Sequence, residues 1–122
     1  MGGYVALAFR EIFESSVISC VLFHSTCFAD TPEKRKNRDR EIQLVKTGKK
    51  ELIVSTNIPR AFADDNLDAF SNEIERAKEI GVSTPEEGIC SILEGMKQRP
   101  DRCDKLSNDS VPALIIAGKK DN

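Results

Sequence analysis

The chain of 122 residues is long enough for one domain of ordinary size. Its 18 basic and 20 acidic residues nearly cancel, leaving a net charge of −2, so no global field points to nucleic acid or a membrane surface as partner. Hydrophobic residues make up 39% and charged residues 31%, ordinary shares for a globular protein, and no run is long enough to span a bilayer.

The N-terminus is apolar but unlike a signal peptide, because it lacks a basic start and Arg10 and Glu11 interrupt it early. Ala6 stands where a myristoylation signal would need Ser or Thr. Gly2 and Gly3 lead at once into an apolar run, and a glycine pair opening a helix implies that a second backbone passes close by. Residues 2–14 read as a helix in which Val5, Leu7, Ala8, Phe9, Ile12 and Phe13 leave little polar face until Arg10, Glu11 and Glu14. Residues 17–23 are short, β-branched and almost continuously apolar, the pattern of a strand covered on both faces. His24, Ser25 and Thr26 mark its carboxyl end, which in open α/β sheets faces the ligand crevice.

From Asp30 charges crowd in and helical signals follow one another without strands. Thr31-Pro32-Glu33 opens a helix to about Lys46 with Ile42 and Val45 as its sparse apolar positions, and Gly48 breaks it. A short helix over 51–55 is broken by Asn57-Ile58-Pro59. Asp65 to Ile80 reads as a third helix with Leu67, Phe70, Ile74 and Ala77 on one face, ended by Gly81. Thr84, Pro85 and Glu87 form a capping-box start for a fourth, whose stripe is Ile89, Leu93 and Met96. A short helix over 101–106 and a polar turn precede 111–117, a second strand expected to be fully buried, with Pro112 tolerated at its start. Two apolar strands far apart in sequence suggest parallel pairing around a long helical excursion.

The cysteines, Cys20, Cys27, Cys90 and Cys103, form no C-x-x-C pair, and His24 is the only histidine. Zinc is not expected, nor is any cofactor, and the thiols are expected to stay reduced in a cytoplasmic protein. The cluster Lys34-Arg35-Lys36 with Arg38 and Arg40 is interleaved with Glu33, Asp39 and Glu41 and lacks an aromatic platform, so it reads as a solvated helix face.

This order resembles the α/β-hydrolase fold over essentially the whole chain. Met1-Gly2-Gly3-Tyr4 looks like the S-M-G-G-Y nucleophile elbow of that family without its serine, which would stand one residue before Met1. Residues 17–23 resemble the family's sixth strand, and the block from Asp30 to about Gln98 stands where the family inserts a helical cap. Val111-Pro112-x-Leu114-x-Ile116-x-Gly118-x-x-Asp121 looks like the seventh strand and the turn carrying the triad acid.

The resemblance implies a partial core over 1–30 and 99–122 around an all-helical cap over 31–98. It implies a serine hydrolase acting on small esters or related acyl substrates, with no nucleic-acid or membrane partner. Asp121 would be the triad acid, orienting a histidine and stabilising its imidazolium. Met1 would supply a backbone N–H to the oxyanion hole. The nucleophile, the catalytic histidine and the other oxyanion donor are absent from the chain. An aspartate nucleophile is a variant of the fold, but those enzymes usually carry Trp after it, so Met1 tilts the reading to serine. His24, Phe62 and Met96 are candidate substrate-pocket residues, with a structural role for His24 and core packing for the other two as the competing readings.

The chain is thus expected to be an internal segment, inactive alone and prone to aggregate, since two strands cannot bury both faces. Two further readings stand beside it: a non-catalytic interaction module whose helices are the working surface, and a helical α/β domain unrelated to hydrolases. Oligomeric state is left open.

Overall fold

The computed structural model describes residues 1–108 and 110–119. Asp121, the candidate triad acid, lies outside the described residues. In chain order the elements are α1 (Gly2–Ile12), β1 (Cys20–Phe23), α2 (Pro32–Lys46), α3 (Lys50–Asn57), α4 (Ser71–Ser83), α5 (Glu86–Gln98), α6 (Cys103–Asn108) and β2 (Ala113–Ile116). Short 3-10 turns lie at Glu14–Ser16, Pro59–Ala61 and Asp64–Asn66. The fold is of the α/β type, and it divides into a strand unit, Met1–Asp30 with Gln98–Asn122, and a helical unit, Thr31–Lys97.

In the strand unit, β1 and β2 pair in parallel, with Cys20 opposite Ala113 and Phe23 opposite Ile116. The ladder extends one residue each way, through Cys20 N–H to Pro112 O and His24 N–H to Ile116 O, both 2.9 Å. Leu7 of α1 packs with Cys20 and Leu22 of β1, and Cys27 and Leu106 close over them. Both strands are shorter than expected, and neither is covered on both faces. Val21 and Phe23 point away from the core and are exposed, and all four β2 side chains are exposed. Ile18, expected inside a strand, precedes β1 and is 92% exposed. Among the described residues the sheet has one face against α1 and no second layer over the other, as expected of two strands without neighbours, although each run taken alone reads as a buried strand.

Arg10 departs from expectation in the opposite direction. It is 2% exposed, and its Nη2 donates to Val111 O at 2.6 Å, tying α1 to the lead-in of β2. The expected reduced thiols are also corrected in part. Cys27 and Cys103 form a disulfide with their Cα atoms 4.9 Å apart, while Cys20 and Cys90 are free. Segments 27–30 and 99–103 run side by side across most of the chain length, which spacing in sequence cannot reveal. That pairing removes the ground on which a reducing compartment was inferred.

In the helical unit the local start and stop signals act as read. Thr31 caps α2, its Oγ1 accepting from Lys34 N–H at 3.2 Å, with Pro32 in the first turn. Gly48 ends the helix at φ 76°, with Gly48 N–H on Val45 O and Lys49 N–H on Leu44 O. That is a Schellman closure, which a left-handed glycine allows. Ile42, Val45, Val54, Ile74 and Leu93 are buried.

Three details differ. The third helix begins at Ser71 rather than Asp65, after a 3-10 turn at Asp64–Asn66, so Leu67 and Phe70 precede it. Gly81 lies inside α4 rather than ending it. A Cβ there would sit 2.9 Å from Val54 Cγ1, so this glycine permits the close approach of α3. Thr84 turns its hydroxyl back onto Ile80 O at 2.8 Å, closing α4. Among the described residues, no helix is long and apolar enough to cross a membrane.

Candidate active site

The strand unit brings three chain segments to one edge. Both strands are parallel, so their carboxyl ends share that edge, and His24 N–H on Ile116 O joins the exits. The start of α1 meets them there. A Cβ on Gly3 would lie 2.6 Å from Ser25 Cβ and 3.7 Å from Leu22 Cδ2, whereas one on Gly2 would meet nothing within 4 Å. The glycine pair therefore has one member with a steric task, and the close-passing backbone it implied is the segment leaving β1.

Met1 stands at the head of this helix, half exposed, its carbonyl accepting from Tyr4 N–H at 2.9 Å and Val5 N–H at 3.4 Å. The N–H groups of a first helical turn have no partner within the helix and carry partial positive charge. Such a terminus can hold negative charge developing on an acyl oxygen. His24 has φ 45°, a left-handed conformation costing a non-glycine residue about 1 kcal/mol or more. Its ring meets Phe23 edge-on, centroids 4.3 Å apart. The chain's single histidine thus ends β1, beside Ser25.

A polar cluster anchors the first turn of α1. The Asp30 carboxylate is fully buried and accepts from Arg99 Nη2 at 2.8 Å. Arg99 also donates through Nε to Phe28 O at 3.1 Å and lays its guanidinium 4.1 Å from the centroid of the Tyr4 ring. Tyr4 lies in the first turn of α1, so the position of Met1 and Gly3 depends on this cation–π contact as well as on apolar packing. Asp101 accepts from Cys103 N–H at 2.9 Å and Ala29 N–H at 3.1 Å, and these bonds, the first above all, hold its carboxyl below the usual value. The sequence marks Tyr4 within the glycine-led motif and Asp30 as the start of the charged block, but nothing in it shows that Arg99 joins the two.

Beside α1 runs a groove of about 550 Å³, lined by Val5, Ala6 and Phe9 on one side and by residues 16–21 on the other. It contains no acidic or basic side chain, so it suits an apolar group or an extended backbone. Phe62 and Met96 belong to the helical unit, both half-buried, Phe62 with its ring 6.3 Å from that of Phe70 and Met96 on α5. Asp121, three residues beyond Gly118, is outside the described residues. Among the described residues no group of three or more His, Cys, Asp or Glu could hold a metal ion.

The arrangement is that of a hydrolase-like α/β fold whose helix start faces the carboxyl ends of two parallel strands. Among solved structures the chain is similar to a thermophilic esterase from Thermogutta terrifontis, described with malate bound. The two are 30% identical with a TM-score of 0.85, and the match covers 97% of this chain and 43% of the esterase. The chain therefore spans less than half the length of that enzyme. No protein-family model matches the chain, and no curated protein does.

Proposed function

We propose that the chain is a segment of an α/β-hydrolase that cleaves small esters or related acyl substrates by Ser-His-Asp catalysis, and that it is inactive alone. The observation that carries this reading is the esterase match, which runs through nearly the whole of this chain at 30% identity. The geometry is consistent with it: Gly3 seats the start of α1 on Ser25, so that Met1 stands at the carboxyl edge of the sheet. In this reading residues 1–30 and 99–122 are core and 31–98 are the helical cap. Met1 N–H donates to the oxyanion and Asp121 orients the histidine; of the candidate substrate-contact residues, His24 belongs to the strand unit and Phe62 and Met96 to the helical unit. The nucleophile and that histidine come from polypeptide outside this sequence.

Two assays test the proposal. The purified chain should not turn over an activated aryl ester above the solvent rate, and turnover abolished by Asp121→Ala would sink the claim of inactivity. Next, this chain replaces the matching segment of the Thermogutta terrifontis esterase. The chimaera should hydrolyse esters and lose about 10⁴-fold in kcat on Asp121→Asn, the scale on which a triad acid acts. A folded chimaera indifferent to Asp121→Asn would refute the role of Asp121. A folded but inert chimaera would favour the interaction-module reading, in which the helices are the working surface.

A further inference from the structure

The segments on either side of the helical unit, 27–30 and 99–103, are held together by several independent contacts, all within the strand unit. Arg102 N–H donates to Cys27 O at 2.9 Å. Ala29 N–H donates to Asp101 Oδ2 at 3.1 Å, and Arg99 Nε to Phe28 O at 3.1 Å. The buried Asp30–Arg99 ion pair, 2.8 Å, completes the set. Across the same neck lies the Cys27–Cys103 disulfide, which closes a loop with a sequence separation of 76 residues.

We propose that this disulfide is a redox-responsive staple: oxidised, it locks the neck from which the helical unit departs, and reduced, it leaves a neck that stays formed but opens locally. Two features support a switch over a mere brace. Both cysteines are half-buried rather than sealed, so a thiolate can reach a sulfur. The noncovalent contacts remain when the S–S bond breaks, so reduction need not unfold the protein; it removes the constraint that made neck opening rare. The chemistry balances with a dithiol as reductant. Its thiolate attacks one sulfur to give a mixed disulfide, its second thiol displaces the protein sulfur, and a cyclic disulfide leaves. The two electrons and two protons of the dithiol end on Cys27 and Cys103. This inference does not depend on the hydrolase reading.

The test uses the full chain. Maleimide labelling of the unreduced, denatured protein should find two free thiols, Cys20 and Cys90. Labelling of all four cysteines would overturn the proposal at once. Amide hydrogen exchange followed by mass spectrometry is then compared with and without dithiothreitol. Peptides covering 27–31 and 98–106 should exchange roughly tenfold faster after reduction, with those covering 42–54 changed by less than about twofold. No change at the neck, or an equal acceleration throughout the chain, would refute a local switch. The Cys27→Ser/Cys103→Ser variant should exchange like the reduced protein and ignore dithiothreitol. The Cys20→Ser/Cys90→Ser variant should respond like the parent, and loss of its response would reassign the effect. Reduction of the parent protein stands as the test even where a cysteine variant folds poorly.

Discussion

Gly3→Ala probes the contact that places the start of α1. The added Cβ would lie 2.6 Å from Ser25 Cβ and closer still to Ser25 Oγ. The hydroxyl can rotate away. Ser25 Cβ cannot, because it moves only with the backbone leaving β1, which His24 N–H pins to Ile116 O. Overpacking of this kind costs about 1–3 kcal/mol, while replacing glycine by alanine in a helix returns at most about 1 kcal/mol. The expected net is a loss of about 1–2 kcal/mol. Gly2→Ala is the matched control, since nothing lies within 4 Å of its added carbon. It should be neutral or stabilising by up to about 1 kcal/mol. Adding Ser25→Gly to Gly3→Ala deletes both offending atoms and should restore much of the loss. Urea unfolding at low micromolar protein, followed by far-UV circular dichroism, reads the midpoints at constant m. Equal midpoints for Gly3→Ala and Gly2→Ala, or no recovery with Ser25→Gly, would refute the account.

Other contacts give further expected outcomes. Asp30→Ala leaves the Arg99 guanidinium nearly buried beside a lost carboxylate and should cost about 3 kcal/mol or more in urea unfolding; a loss below about 1 kcal/mol would show the pair to be solvated. In the helical unit, Gly95→Ala meets open space and should raise stability by about 0.5–1 kcal/mol. Gly81→Ala, driven into Val54, should lower it, and equal effects of the two would remove the steric reading of Gly81. The Asp101 carboxyl is held low by the N–H groups of Cys103 and then Ala29. Its contribution is therefore complete above the ordinary aspartate value, about 4, and fades as pH falls through the lower folded value. Urea midpoints measured from about pH 5 to about pH 2 should fall less steeply for Asp101→Asn than for the parent, and parallel curves would discard the role given to Asp101.

The local elements of this protein are legible in its sequence because their causes are local. Thr31 with Pro32 starts α2 and Gly48 stops it through bonds spanning a few residues. The parallel pairing was also legible, since two short apolar runs separated by a long helical block have few other ways to meet. The start of α1 is intermediate: a glycine pair announces a close neighbour, but only the fold identifies it as Ser25 and shows that Gly3 alone needs the space.

Tertiary structure decided the rest. Whether an apolar strand is covered depends on layers its own residues do not encode, which is why β2 lies exposed despite its buried-strand sequence. Gly81 read as a helix stop because its reason, Val54, sits on another helix. Arg10 reached Val111, Arg99 reached Asp30 and Tyr4, and Cys27 reached Cys103 only after the chain had folded back across most of its length. Polar and thiol side chains declare their type in sequence but not their partners. Here Arg10 and Arg99, through such partners, tie α1 to the rest of the strand unit.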